Sequence, residues 1–319
     1  MVDQKRGVVG SIYTYFGRAL ALLRNRRQSF RHELAIGAIF KNEACYLNEW
    51  LTFHHGVGVD HFYLYNNNSS DTFRNVLKPW MDRGVVTLIE WPELGGQESA
   101  YRHCIRKFRN MARWIAFIDV DEFLFSPKSV DLRQVLKTYT DVPAIFVYWV
   151  LFGSSGRMER TTGNVVETYT RCLDLQNAIN DEFDHRNEPE KTNYVTGWAQ
   201  DGKSIVNPRL VRRFLVHKPK EVWVGQTVDE NRCPLQQRVK GAAISYSVIR
   251  INHYWSKSIE ELVIKVEKGM PNHKTQPTKD LDNWLRREKA LNVAEDHAIL
   301  ATWKAIQEKA NHGGVRQPH

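Results

Sequence analysis

The chain has 319 residues, of which 42% are hydrophobic and 25% are charged, a balance typical of a soluble globular protein. It contains no stretch approaching the roughly 18 uninterrupted apolar residues of a membrane-spanning helix, and its N-terminus lacks the apolar run and cleavage site of a signal peptide, so we expect a cytoplasmic protein. The net charge of +9 favours an anionic partner, which leaves nucleic acid, anionic lipid and phosphorylated substrates open.

Residues 1–30 form a basic amphipathic segment. If the segment is helical, Ile12, Tyr15, Phe16 and Leu20 fall near one face, and arginines cluster beyond them. That pattern is typical of a helix lying in the interface of an anionic membrane, and it predicts peripheral contact with the inner face of the membrane. A helix packed on the rest of the protein, or a disordered basic arm, explains the same pattern equally well.

Strand-like and helix-like runs alternate from residue 31 onward. The first strand-like runs are residues 33–40, 60–66, 85–91 and 114–120, and helix-like runs lie between them. Such alternation predicts an α/β fold with a mostly parallel central sheet flanked by helices.

The later part of the chain is less regular. Further strands are predicted over residues 144–153, 203–208, 210–219 and 242–255. The polar, turn-rich stretches over residues 153–171 and 177–203 predict loops that shape a site. We therefore expect a sheet domain over residues 31–256, after the N-terminal segment, and a helical C-terminal appendage over residues 257–319.

Polar clusters follow three of the predicted strands. They are Asn42-Glu43, the turn-forming run from Asn66 to Asp71, and the aspartates of the run "WIAFIDVDEF". In sheets of this kind, ligands bind beyond the carboxyl ends of the strands. The convergence of these clusters predicts a polar ligand site at that edge.

The aspartates of "WIAFIDVDEF" are the strongest candidates for a metal site. Asp119 and Asp121 are two residues apart, so an extended backbone points both side chains to the same side and Glu122 to the other. Two carboxylates at a strand end suit Mg²⁺ or Mn²⁺, which fills its other positions with substrate phosphate and water. The alternative is that these aspartates only cap the next turn or helix.

Other polar residues near strand ends are compatible with the same chemistry. His217 and His253 each end an apolar strand, and either can complete the coordination of a metal through an imidazole nitrogen. Lys203 and Lys257 can neutralise a diphosphate. The phosphate-binding motifs GxGxxG after a strand and GxxxxGK[ST] are absent, and so is GxSxG, which disfavours dinucleotide oxidoreductases, P-loop enzymes and α/β-hydrolases.

Several motifs in the same order resemble one family. The run "AIFKNEACYLNEWLTFHHGVGVDHFYLYNNNSSD", then "WIAFIDVDEFLF", "FGSSG", "KSIVNP", "VHKP" and "NHYWSKSIEELVIKVEKG", is similar to glycosyltransferase family 92 and its bacterial relatives, which are kin to family 2. The resemblance spans roughly residues 33 to 269. It implies a GT-A fold, which is Rossmann-like, and transfer of a sugar from a nucleotide diphosphate donor.

The resemblance also implies roles for individual residues. Asp119 and Asp121 hold Mn²⁺ or Mg²⁺ on the donor diphosphate. Asn66 and Asn67 stand where family 2 enzymes usually show the first acidic residues of "DDGSTD". The residues expected to contact the nucleotide sugar are Asn42, Glu43, Asn66, Asn67, Asp71, Gln97, Tyr101, Lys203 and Lys257. An inverting transfer needs a carboxylate as general base, for which Asp229, Glu230, Asp201 and Glu159 are candidates; with Asp121, we take Asp229 and Glu230 as the catalytic set.

The leading hypothesis is a metal-dependent, inverting glycosyltransferase of polysaccharide biosynthesis. We expect a UDP-sugar donor and a saccharide or glycolipid acceptor at the inner membrane surface. Nucleotidyl transfer at the same carboxylate-metal site, and a non-enzymatic protein that binds anionic membranes, are the alternatives. Nucleic acid is disfavoured, because the sequence shows neither an aromatic-and-basic binding strip nor a recognition-helix pattern.

Overall fold

The computed structural model describes residues 29–174, 200–237, 244–268 and 281–312. The helices in these ranges are α1 (Ala44–Gly56), α2 (Phe73–Asp82), α3 (Gln97–Phe108), α4 (Leu132–Leu136), α5 (Val165–Thr168), α6 (Ile259–Lys268), α7 (Leu281–Ala290) and α8 (Ala298–His312). The strands are β1 (His32–Phe40), β2 (His61–Asn66), β3 (Val86–Glu90), β4 (Ala112–Phe117), β5 (Glu122–Phe125), β6 (Ala144–Phe152), β7 (Arg171–Cys172), β8 (Gly202–Val206), β9 (Val211–Phe214), β10 (Pro219–Val222), β11 (Thr227–Val228), β12 (Arg250–Tyr254) and β13 (Ala294–Glu295).

The first half of the chain builds a parallel half-sheet in the order β3-β2-β1-β4, with a helix in each crossover. Each residue of β2 is buried, and so are the last seven residues of β1, because helices cover this part of the sheet. Strands buried on both faces need nearly continuous apolar sequence, which explains why apolar runs in the sequence predicted these strands. The predicted α/β class is confirmed.

The second half of the sheet is mixed. Strand β8 lies between β4 and β6 and runs antiparallel to both. Strand β12 is parallel to β6 and antiparallel to β5, so that it pairs with two strands that come much earlier in the sequence. Strands β9 and β10 form a separate two-stranded sheet. The strand predicted over residues 242–255 is confined to its last part, Arg250–Tyr254.

Helix α8 packs on the same core as the sheet domain. The ring centroids of Trp303 and Phe53 are 6.1 Å apart. Ile306 lies so close to Gly56 that a Cβ atom there would be 2.6 Å from Ile306 Cγ2. Glycine at position 56 therefore lets α1 and α8 approach closely, and the C-terminal helical region shares its core with the preceding residues.

Two predictions fall on parts of the chain that lie outside the described residues. These are the interfacial helix, of which residues 1–28 are not described, and most of the loop over residues 177–203. Within the described ranges, every helix is too short or too polar to cross a membrane.

His54 joins α1 to β5 in the interior of the protein. The side chain is fully buried; its Nδ1 lies 2.8 Å from the carbonyl oxygen of Trp50, and its Nε2 lies 3.1 Å from the amide nitrogen of Leu124. The Leu124 amide can only donate, so Nε2 must accept and Nδ1 must carry the proton. Burial lowers the pKa of His54 from 6.5 to about 3, because the imidazolium form would lose its hydration.

This buried imidazole makes the stability of the protein depend on pH. The pKa is lower in the folded state, so stability is complete above about pH 6.5 and falls as the pH decreases towards the folded value. At about 1.4 kcal/mol per pKa unit, lowering the pH from 6.5 to 4 should cost wild type roughly 3 kcal/mol more of unfolding free energy than it costs His54→Gln.

Urea unfolding measured across this pH range tests the prediction. His55→Gln is the matched control, because His55 is the next residue of α1 and is exposed. Equal pH dependence in wild type and His54→Gln would contradict the prediction.

Candidate functional site

The acidic run after β4 forms a tight turn. Strand β4 ends at Phe117, and the Asp119 carbonyl accepts a 3.1 Å hydrogen bond from the Glu122 amide. In return, the Glu122 carboxylate accepts a 3.0 Å hydrogen bond from the Asp119 amide. The expected extended backbone is therefore wrong at this point, because the chain reverses there. The expectation that Glu122 points away from the aspartates is also wrong.

Asp119 is held by three donors. Its Oδ1 accepts hydrogen bonds from Gln97 Nε2 at 2.9 Å and from the Tyr101 hydroxyl at 3.0 Å. Its Oδ2 lies 2.8 Å from Nζ of Lys203. Gln97 and Tyr101, which we expected to contact the donor, thus lie on the first two turns of α3 and orient Asp119. The Asp119 side chain is still 29% exposed, so it remains accessible to a ligand.

Asp121, Glu122 and His253 form the group best suited to a metal ion. One ligand atom from each residue lies within 4.8 Å of the others. His253 Nε2 is 3.5 Å from Asp121 Oδ2, and His253 Nδ1 is 4.0 Å from Glu122 Oε1. The antiparallel pairing of β12 with β5 sets His253 directly opposite Glu122. We refer to these three residues as the acid–histidine triad.

Burial acts differently on the three residues of the triad. Burial raises the pKa of Glu122 well above its usual range, since Lys203 offsets only part of the cost of burying the charge. Burial would also raise the pKa of Asp121, but Lys265 and His253 outweigh it and hold that pKa well below its usual range. Burial lowers the pKa of His253. An ionised aspartate and a neutral imidazole are the protonation states that bind metals.

Two buried polar atoms of the triad also fit a metal. Glu122 Oε1 and His253 Nδ1 lack hydrogen-bond partners among the described residues. Unpartnered buried polar atoms are costly unless a ligand, ion or water satisfies them. Oxygen and imidazole nitrogen are donors that Mn²⁺ accepts, so the residues present fit the cation that the sequence predicted.

Three lysines balance the acids. Lys203, on β8, is fully buried, with its Nζ 2.8 Å from Asp119 Oδ2 and 3.9 Å from Glu122 Oε1. Lys265, on α6, lies 2.8 Å from Asp121 Oδ2. Lys257 follows β12, and its Nζ is 3.9 Å from Glu43 Oε2 and 3.5 Å from the centroid of the Tyr46 ring. The lysines therefore approach the acids from three different elements.

The polar clusters after β1 and β2 meet, as their positions at strand ends predicted. Asn42 Oδ1 accepts a 2.8 Å hydrogen bond from the Ser70 amide. Asp71 Oδ2 accepts a 2.8 Å hydrogen bond from the Ala44 amide at the start of α1. Asn66 and Asn67 donate to Glu90 and to the backbone after β3, respectively. These side chains shape the edge of the site by binding one another and the backbone.

Asp201 and His217 form a pair beside the triad. His217 Nδ1 lies 2.9 Å from Asp201 Oδ1, and the imidazole contacts the ring of Trp149, with centroids 5.2 Å apart. Trp149 also contacts His253, at a centroid distance of 4.7 Å. His217 is thus placed next to the acid–histidine triad but is not one of its members.

Asp229 and Glu230, the two carboxylates predicted as catalytic with Asp121, accept hydrogen bonds from backbone amides. Glu230 accepts hydrogen bonds from the amides of Ser247, Val248 and Ile249 at 2.8–2.9 Å. Burial would raise its pKa, but these bonds and one from Ser245 lower it overall. Asp229 Oδ1 accepts from two amides of its own turn. Glu159 is exposed.

Sequence reasoning missed Glu122, Lys265 and Trp149 as residues of the site. Glu122 belongs to the acidic run, and its assignment failed only because the turn was read as strand. Lys265 and Trp149 had no local signal, since one lies on an amphipathic helix and the other inside an apolar strand. Their positions depend on pairing between distant segments.

Comparison with known proteins identifies a family. The model of glycosyltransferase family 92 matches residues 33–289. A glycosyltransferase family 92 protein of Oryza sativa subsp. japonica is 35% identical over 144 residues, which cover 44% of this chain and 24% of that protein. A galactan beta-1,4-galactosyltransferase of Arabidopsis thaliana is 29% identical over 100 residues, which cover 28% of this chain and 19% of that protein. The chain thus spans about a quarter or less of the length of these two relatives.

Among solved structures, the crystal structure of S. aureus TarS in complex with UDP matches at a TM-score of 0.33 and 10% sequence identity. The match covers 56% of this chain and 47% of that chain. A TM-score this low carries no inference about a shared ligand.

The buried lysine of the site predicts a large and specific loss of stability. Lys203→Met leaves Asp119 and Glu122 without their cation, which should lower the free energy of unfolding by about 3–5 kcal/mol. Lys265→Met is the matched control, because this lysine also pairs with an acid of the site but is 31% exposed. Its loss should cost less than the loss of Lys203, because the Lys265 ammonium already contacts solvent whereas Lys203 is fully buried. Urea unfolding at pH 7 measures both, and equal losses would contradict the prediction.

Proposed function

The chain belongs to glycosyltransferase family 92, and from this premise we propose that it is a metal-dependent, inverting glycosyltransferase with a nucleoside diphosphate sugar as donor. The single observation that carries the proposal is the acid–histidine triad at the carboxyl edge of the sheet, with three lysines around it. Transfer from such a donor requires compensation of the negative charge that develops on the leaving diphosphate. A site that combines metal ligands with lysines supplies that compensation.

Asp121, Glu122 and His253 are the residues that would hold Mn²⁺ or Mg²⁺. When bound, the cation supplies charge neutralisation at the diphosphate of the donor. Lys265 pairs with Asp121 and Lys257 with Glu43, so both add positive charge near the triad, whereas the fully buried Lys203 compensates Asp119 and Glu122. Asp119, which Gln97 and Tyr101 orient and which is partly exposed, is left to accept a hydrogen bond from the donor.

The polar edge formed by Asn42, Glu43 and the turn after β2 is our proposed nucleotide pocket. Its side chains hold the turn in one shape through hydrogen bonds to each other, so the pocket is formed before the donor arrives. A preformed pocket loses less conformational entropy on binding. We propose UDP as the nucleotide and a saccharide or glycolipid as acceptor; the galactan galactosyltransferase relative makes UDP-galactose the first donor to test.

The proposal predicts that Asp121→Asn abolishes metal-dependent use of the donor and leaves the fold intact. The test measures nucleotide release from UDP-galactose, UDP-glucose and GDP-mannose in the presence of Mn²⁺. The variant should lose at least about 100-fold in turnover, because an electrostatic contribution to a transition state of this kind is worth a few kcal/mol. Thermal unfolding should show UDP with Mn²⁺ stabilising wild type but not the variant.

Asp82→Asn is the matched control, since Asp82 pairs with Lys78 on the exposed face of α2. It should retain wild-type turnover. Full activity of Asp121→Asn, or of wild type in excess chelator, would refute the metal assignment.

The products distinguish the alternative enzyme class, because glycosyl transfer releases UDP and nucleotidyl transfer releases pyrophosphate. The anomeric configuration of the product, read by NMR, tests inversion.

A further inference from the structure

The described residues that we assign to the donor do not include a group that removes the proton from the acceptor. Such a base needs an accepting atom that is not already used, a neighbour that fixes its orientation, and a position close to the triad. The acids near the triad do not meet these conditions. Asp119 pairs with Lys203 and is already assigned to the donor, Glu122 is fully buried, and Glu230, which the sequence predicted as catalytic, binds three backbone amides.

His217 has an accepting atom available. Asp201 Oδ1 lies 2.9 Å from its Nδ1 and also accepts a 2.8 Å hydrogen bond from the Gly202 amide. Burial would raise the pKa of Asp201, but the hydrogen bond from His217 and one from the Gly202 amide lower it overall, so the carboxylate is ionised. An ionised carboxylate only accepts, which places the His217 proton on Nδ1 and a lone pair on Nε2. No described residue forms a hydrogen bond with that Nε2 atom.

The pair is rigidly placed beside the triad. The Trp149 amide donates a 3.1 Å hydrogen bond to the Asp201 carbonyl, which ties this residue to β6. The Trp149 ring contacts His217 of the pair and also His253 of the triad, at centroid distances of 5.2 and 4.7 Å. His217 and Asp201 are 31% and 40% exposed, so an acceptor can reach them from solvent.

Trp149 adds a second, independent sign of a ligand. Its side chain is 7% exposed, and its Nε1 is a buried donor without a hydrogen-bond partner among the described residues. An indole N–H can only donate, so the ring that contacts both histidines carries a hydrogen-bond donor that the described residues leave unused.

We propose that His217 is the general base of the transfer and that Asp201 is its positioning residue. The assignment rests on the proposed function. His217 Nε2 takes the proton of the acceptor hydroxyl while the acceptor oxygen bonds to the anomeric carbon. The bond between that carbon and the diphosphate oxygen breaks, and its electron pair leaves with the nucleoside diphosphate. The imidazolium then returns its proton to water.

The test compares His217→Gln, Asp201→Asn and wild type, using the UDP-sugar that wild type turns over. His217→Gln should lose about 100- to 10,000-fold in kcat/KM, the usual contribution of a general base. Its Kd for UDP in the presence of Mn²⁺ should stay within about twofold of wild type, because the triad is unchanged. The decrease of kcat/KM at low pH, which we call the acid limb of the pH profile, should disappear in this variant, because the imidazole that must be unprotonated is gone.

Asp201→Asn should lose less activity and move the acid limb to lower pH, because removing the carboxylate charge makes the imidazolium less favourable. A merely structural role for Asp201 would not move this limb. His297→Gln is the matched control, since His297 also faces a carboxylate, Glu295 at 3.4 Å, but is exposed on a different element. It should behave as wild type.

Turnover by His217→Gln within twofold of wild type would overturn the assignment. If His217→Gln loses its thermal unfolding transition, the variant does not fold and Asp201→Asn provides the test, because it keeps the imidazole. An acid limb that is unchanged in Asp201→Asn would then overturn the proposal. A wild-type protein that neither binds UDP with Mn²⁺ nor releases UDP overturns the proposed function, and the assignment with it. Normal UDP binding with normal turnover in His217→Gln overturns the assignment alone.

Discussion

Compensation of buried negative charge at the end of β4 is the constraint on which the site depends. The Asp119–Glu122 turn brings the fully buried carboxyl group of Glu122 together with Asp119 and Asp121, and burying an unpaired charge costs several kcal/mol. Lys203 meets this cost, and it does so because β8 pairs with β4 and places Ser204 opposite Phe117. An antiparallel strand thus interrupts a parallel sheet at the point where a buried cation is required.

Strand β12 connects the two halves of the proposed chemistry. It is the neighbour of both β5 and β6, and it places His253 opposite Glu122 in one pairing and beside Leu151 in the other. The acid–histidine triad and the Trp149 ring, which contacts His217, therefore share one rigid support. Side chains held on strands keep their relative positions better than side chains on loops, which is the precision that a reaction between two bound substrates needs.

The sequence was sufficient to predict the parallel half-sheet and the polar edge. Both depend on local signals: apolar runs of strand length, and Asn, Asp and Ser clusters where those runs end. The turn at Asp119 was missed because no Gly or Pro marks it; its stability comes from the reciprocal bond of Glu122 and from Lys203, which lies more than 80 residues away. Asp229 and Glu230, which the sequence predicted as catalytic, bind backbone amides in the structure. Acidic residues in loops bind backbone amides as readily as substrates, and only the fold distinguishes these uses.

The contribution of Lys265 and His253 to the site has a consequence for the order of events during synthesis. Asp121 and Glu122 leave the ribosome more than 120 residues before His253 and Lys265. Until β12 inserts between β5 and β6, a nascent chain has its parallel half-sheet but not its complete acid–histidine triad. Contacts this distant in sequence form late, because closing the intervening loop costs entropy before any pairing repays it. Completion of the acid–histidine triad therefore coincides with the insertion of β12 into the sheet, and a chain that ends before β12 lacks both His253 and Lys265.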